Sequence, residues 1–282
     1  MEITTVGTYR AQWGEGPIWW QGRLYYVDIE GCRVLALDPE TGEEQEWQTD
    51  GRVGTVVPRK SGGLVIAGDN GIYFLDTNSG ELEKVGDPEP DKANNRFNDG
   101  KCSPDGHFFA GTISLVKQQG DAALYRLSKS GEITEVFGDV TNSNGIVWSL
   151  DGGTVYYIDS PRKAVQAFSY KDGGLTDGQI VVSTADYPDS PDGMTIDSDG
   201  NLWIAFCHGA RVVCYNPDTG EELRKIELPC LETTACAFGG ENLEDLYVTT
   251  GVHKTEVEEK AGQLLVIKGL GVKGVPAFAY QG

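Results

Sequence analysis

The sequence predicts an all-β protein, a six-bladed β-propeller with four antiparallel strands per blade, closing a single domain over residues 1–282. Three observations carry that expectation. A strand pattern recurs six times, with tight turns at Gly22, Gly63, Gly106, Gly153, Gly200 and Asn242, 41 to 47 residues apart, which is a propeller period. Each repeat holds four short strand-like runs. The 282 residues include 38 glycines and abundant Tyr, Trp and Val with no long 3.6-residue apolar period, enough to close one such ring and leave little over.

The fourth repeat shows how each unit is built. Gly145-Ile-Val-Trp-Ser-Leu runs into Asp151-Gly152-Gly153, and Thr154-Val-Tyr-Tyr-Ile158 runs back, an antiparallel hairpin. Gly193-Met-Thr-Ile-Asp with Asn201-Leu-Trp-Ile-Ala205, and Gly16-Pro-Ile-Trp-Trp with Leu24-Tyr-Tyr-Val-Asp28, repeat the pattern. Third and fourth strands follow, as at 123–127, 165–169, 211–215 and 263–267, often leading into turns such as Asp38-Pro-Glu-Thr-Gly42 and Asn216-Pro-Asp-Thr-Gly220. A ring must also close on itself. The segment from Thr4 to Tyr9 is the strand expected to join the last sheet beside Leu264 to Ile267.

Charge narrows the partners. A formal net charge of −20 repels nucleic acid and anionic membrane surfaces over a Debye length of about 8 Å. No apolar run approaches the 18 to 20 residues of a membrane helix, and Met1-Glu-Ile-Thr-Thr5 lacks the regions of a signal peptide, so a cytoplasmic protein is expected, monomeric or weakly dimeric. The six cysteines, at 32, 102, 207, 214, 230 and 236, are expected to be free buried thiols, and none forms a C-x-x-C pair. His107, His208 and His253 fall in different repeats without helical spacing, and a histidine-rich zinc site is not expected. Gly269-Leu-Gly-Val-Lys-Gly274 matches G-x-G-x-x-G, but no helix pattern follows to receive a pyrophosphate.

Aspartate precedes glycine at two different places in the repeat. Asp105-Gly106, Asp151-Gly152 and Asp199-Gly200 are hairpin turns. The second set, Glu15, Asp99, Asn144 and Asp192, stands before a glycine 7 to 9 residues upstream of the turn, one strand away and hence at the opposite end of the ring. Innermost strands line the axis, so residues opening them in one phase converge on one mouth of the channel. Carboxylates and an amide facing one another there repel unless a cation neutralises them, and all-oxygen ligation suits calcium first, with magnesium, manganese or zinc as alternatives. Three or four side-chain oxygens fall short of calcium's 6 to 8, and water must fill the rest, which leaves positions open for hydrolytic chemistry. Arg96 and Asn98 beside Asp99 read as substrate hands.

The motifs Gly14-Glu-Gly-Pro17, Asn95-Arg-Phe-Asn-Asp-Gly-Lys101, Phe109-Ala-Gly-Thr112, Ser143-Asn-Gly145, Tyr157-Ile-Asp-Ser160, Pro191-Asp-Gly-Met194 and Gly269-Leu-Gly-Val-Lys-Gly274 resemble the regucalcin (senescence marker protein)/gluconolactonase family along essentially the whole chain. The resemblance implies a propeller that binds one divalent metal in its channel and hydrolyses sugar lactones to aldonic acids. It implies Glu15, Asn144 and Asp192 as metal ligands, Arg96 and Asn98 as substrate contacts, and Asp99 in a supporting channel position rather than as a ligand. Asp192 is the expected catalytic residue, activating the attacking water. The loop after Thr112, 113–121, is shorter than in the animal members and has no clear counterpart of their acidic substrate contact. His208 reads as a structural residue or part of the substrate wall. Competing readings are a calcium-binding regulator without catalysis, an interaction scaffold, and promiscuous phosphotriester hydrolysis by the same metal.

Overall fold

Six four-stranded antiparallel sheets stand around one axis, and in each the strand earliest in its repeat lies innermost. The computed structural model describes residues 1–254 and 257–282. The inner strands are Gly14–Trp20, Val53–Pro58, Asn95–Cys102, Ser143–Trp148, Ser190–Ile196 and Thr233–Gly239. They are buried almost throughout, because their outward side chains meet neighbouring blades and their inward ones meet the axis. The fourth strands are the reverse: Glu44–Gln48 and Glu222–Glu227 are largely exposed and carry most of their charge to solvent.

Ring closure follows the expected route with shifted bounds. The N-terminal strand is Glu2–Val6, pairing antiparallel with Leu264–Lys268 so that Ile3 faces Ile267 and Thr5 faces Leu265. It stops before Tyr9 because Gly7 adopts a left-handed φ of 74°. One blade thus draws strands from both ends of the chain, and the ring cannot open without unpairing them.

Large side chains join the blades. Trp203 meets Phe238 edge to face at 5.7 Å, Phe109 meets Trp148 at 5.3 Å, and Trp19 stacks on Tyr247 at 5.6 Å, each pair crossing from one blade to the next. Where the inner strands cross closest, glycines let them approach. A Cβ at Gly193 would lie 2.2 Å from the Ala235 Cβ of the next blade, and one at Gly145 would lie 2.6 Å from that of Met194. Gly193→Ala is therefore expected to lower stability by about 1–3 kcal/mol, as overpacking does. Denaturant unfolding of the variant checks this, and an unchanged midpoint would show that the blades slide apart freely.

The two ends of the ring differ. At the end of the Asp-Gly turns, residues 275–278 lie across the channel against Ile18, Trp148, Ile196 and Phe238. Tyr280, buried and donating through its hydroxyl to the Ser128 carbonyl at 2.7 Å, fixes this segment, as do the Gln281 amide on Gly106 and the Lys60 amide on Tyr280. The Gly269–Gly274 run leads into this stopper and into no helix. Among the described residues no helix is long and apolar enough to cross a membrane.

Candidate functional site

Every inner strand carries the same irregularity at the open end. Its pairing with the second strand slips between Glu15 and Ile18, Val53 and Thr55, Phe97 and Gly100, Ser143 and Ile146, Pro191 and Met194, and Thr233 and Ala235. A bulge leaves an extra residue outside the ladder and re-aims its side chain. Glu15, Asp99, Asn144 and Asp192 lie in or beside these bulges, all buried, while blades two and six place Gly54 and Thr234 there. The phase relation read from the sequence is thus a row of bulges around one mouth.

Hydrogen bonds orient the polar groups across blades. Asn98 Nδ2 donates to the Ser143 carbonyl at 2.7 Å and to Asn144 Oδ1 at 3.1 Å, and Asn144 Nδ2 donates to Ser160 Oγ at 2.7 Å. Ser160 Oγ donates in turn to the Pro191 carbonyl at 2.7 Å, next to Asp192. With its nitrogen tied to Ser160, the Asn144 amide keeps its oxygen toward Asn98 and the channel. Arg96 Nη1 donates to Asn98 Oδ1 and to the Phe97 carbonyl, both at 2.8 Å, while its Nε is buried without a partner. Burial pushes the Arg96 guanidinium down to about 10, and the nearby Arg52 charge adds to this. Behind Arg96, the Glu89 carboxylate accepts from Asn95, Thr112 and Tyr125 and holds the strand in place.

The carboxylates are in electrostatic conflict. Burial pushes Glu15 up to about 8, with the Asp99 charge adding to the shift. Burial also raises Asp192, and the charges of Glu15 and Asp99 raise it further. Asp99, raised by burial, accepts from the Gly100 amide through Oδ1, and its Oδ2 is buried with no partner at all. Lys101, whose Nζ donates to the Met194 carbonyl at 3.2 Å, opposes these shifts from the inner side; it stands within a sequence motif, but nothing in the sequence signals that role. Three buried carboxyls, one of them with an orphaned oxygen, and an amide oxygen are the hard oxygen donors that a divalent cation prefers.

A second constellation borders the first. Cys207 ends the second strand of blade five, His208 follows it, and Glu232 leads into the inner strand of blade six. Their ligand atoms all lie within 4.8 Å of one another, and the His253 Nε2 stands 3.6 Å from Glu232 Oε1. Spacing along the chain excludes a helical histidine motif, but the ring brings His208 and His253 to a centroid distance of 6.2 Å. The sequence pattern places the Cys207-His-Gly209 turn near the channel, with Cys207 as a buried thiol, but does not reveal Glu232, whose single signal is a lone acid before Thr233-Thr234.

With this geometry in place, similarity to known proteins is informative. A family model described as the SMP-30/Gluconolactonase/LRE-like region matches residues 13–252. Regucalcin of Danio rerio is 40% identical over 280 residues, covering 95% of each chain. The protein named "Putative sugar lactone lactonase YvrE" of Bacillus subtilis (strain 168) is 35% identical over 267 residues, covering 93% of this chain and 91% of its own. A solved luciferin-regenerating enzyme superposes with a TM-score of 0.92 at 27% identity, covering 99% of both chains.

Proposed function

The chain belongs to the SMP-30/gluconolactonase/LRE-like family, and from that premise we propose that it is a divalent-metal-dependent lactonase that hydrolyses gluconolactone-like sugar lactones to aldonic acids. The observation that supports this best is the set of buried polar groups carried by the bulges at one mouth: Asp99 with an orphaned Oδ2, Glu15 and Asp192 with repelling charges, the Asn144 oxygen, and Arg96 with an unpartnered Nε. Glu15, Asn144 and Asp192 hold the cation and Asp99 supports them. Calcium is the first choice on hardness, with magnesium, manganese or zinc possible occupants.

When bound, the cation supplies Lewis-acid polarisation of the carbonyl and acidifies water. The side chains do the rest. Arg96 and Asn98 hydrogen-bond the sugar hydroxyls and present the ester to Asp192. The Asp192 carboxylate, whose basicity is raised by burial, accepts a proton from the attacking water. The water oxygen bonds to the acyl carbon, the ring carbon–oxygen bond breaks, and the ring oxygen takes up a proton as a hydroxyl. The six cysteines are unbridged, which suits a reducing compartment, and we place the protein in the cytoplasm as a monomer or weak homodimer.

Arg96→Ala is expected to raise KM for d-glucono-δ-lactone about tenfold to a hundredfold, the loss of one or two hydrogen bonds to a charged group, with kcat changed less. Steady-state kinetics in a pH-indicator assay measure it, and a fall in kcat at constant KM would remove Arg96 from substrate binding. The parent enzyme, assayed on a lactone panel with calcium, magnesium, manganese and zinc and with chelator, tests the function itself. Tight calcium binding with no turnover of any lactone would make the protein a calcium-binding regulator instead.

A further inference from the structure

We propose that Cys207, His208 and Glu232 form a second cation site, distinct in its ligands from the oxygen site and suited to zinc or a similar thiolate- and imidazole-preferring divalent ion. The donors come from two blades. Cys207 Sγ lies 3.3 Å from Glu232 Oε2, and His208 Nδ1 lies 2.8 Å from the same oxygen. Ligand atoms of a tetrahedral zinc, bound at about 2.0–2.3 Å, stand roughly 3.3–3.6 Å apart. The sulfur–oxygen distance already matches, and the imidazole, with its side chain 57% exposed, has room to withdraw by the few tenths of an ångström required. His253 stands beside these three, its Nε2 3.6 Å from Glu232 Oε1.

The local architecture differs here from that of blades one and four, while blades two, three and six carry Gly68, Ser114 and Thr250 at this position. In blades one and four the residue paired with the start of the inner strand is an aspartate. Asp28 faces Gly14 and Asp159 faces Ser143, and their carboxylates accept the amides of Gln12, Trp13 and Asn142 leading into those strands. Cys207 holds the same register position opposite Ser190. The thiol lies instead between the fully buried Glu232 and Asp192, hydrogen-bonded to both carboxylates, so the two sites adjoin without sharing a ligand. His208 is held in the left-handed region, φ 65°, a conformation that side chains other than glycine seldom adopt. The strained residue turns its imidazole onto Glu232, whose carboxylate also receives the His208 amide at 3.3 Å.

The softer donors separate this site from its neighbour: calcium prefers the all-oxygen set, and zinc or cobalt(II) the sulfur and nitrogen.

The test uses the full chain, stripped of metal, saturated with calcium and then titrated with cobalt(II). Cobalt bound by a thiolate shows a sulfur-to-metal charge-transfer band in the near ultraviolet, and the expected result is a band that saturates at one equivalent, persists in excess calcium and is abolished by zinc. Cys207→Ser is expected to remove the band. His208→Ala, a change at an exposed side chain that leaves the core intact, is expected to weaken cobalt binding about tenfold to a hundredfold. Glu15→Gln, which disables the oxygen site, is expected to abolish lactone turnover and keep the band, so that failure of the two assignments can be told apart. Absence of the band in the parent protein, its survival in Cys207→Ser, or its displacement by calcium would each overturn the proposal.

Discussion

Asp192→Asn is expected to lower kcat for d-glucono-δ-lactone by about 10²–10⁴-fold, the range associated with removing a positioned proton acceptor. The substitution keeps the volume of the side chain beside Gly193, where the inner strands leave no space for change. It removes one of three mutually repelling carboxyls, so the metal-free variant should unfold at a higher temperature than the parent while turning over less substrate, a trade of function against stability. Kinetics with and without calcium, together with melting curves in chelator, measure both effects. Full turnover that resists chelation in the Asp192→Asn variant would strip Asp192 of its catalytic role.

Removing the cation is expected to make stability fall as pH rises. Glu15 has its folded-state pKa raised from the ordinary 4.5 to about 8, and Asp99 and Asp192 are raised as well. Between those values the native state binds more protons than the unfolded chain, so the unfolding free energy has a negative slope with pH. The contribution is fully present below 4.5 and is lost as Glu15 ionises through about 8. A divalent ion reverses the preference by stabilising the ionised carboxylates, and saturating calcium should flatten the profile and raise the melting temperature most at alkaline pH. A net loss of about 2–3 kcal/mol corresponds to roughly 5 °C in a chain of this size. Calorimetry across this window in chelator and in calcium tests the claim; a metal-free melting temperature that rose with pH would mean that the carboxylates do not face one another.

Architecture was legible because repetition multiplies weak signals. One Asp-Gly is uninformative, but the common phase of Glu15, Asp99, Asn144 and Asp192 identified the axis-lining strands, and the six bulges are its structural cause. The same argument distinguished Asp105 and Asp199, in turns beside the stopper, from Asp99 and Asp192 at the open mouth. Residues that depart from the repeat were harder to read. Cys207 stands where another blade has aspartate, and Glu232 lies 25 residues further on, so only ring geometry joins them. Lys101 was invisible for a different reason: its charge acts inward, on Glu15 and Asp99, from a strand whose alternation reads as ordinary. Likewise, nothing periodic announces that 275–282 folds back over the ring.

That returning tail gives the two ends of the ring unlike walls, apolar where 275–278 lie and polar at the bulges. The connections 29–32, 113–121, 184–189 and 208–210 border the polar end. Redesign aimed at a different ligand has that short stretch of rim to work on, and can leave the apolar end untouched.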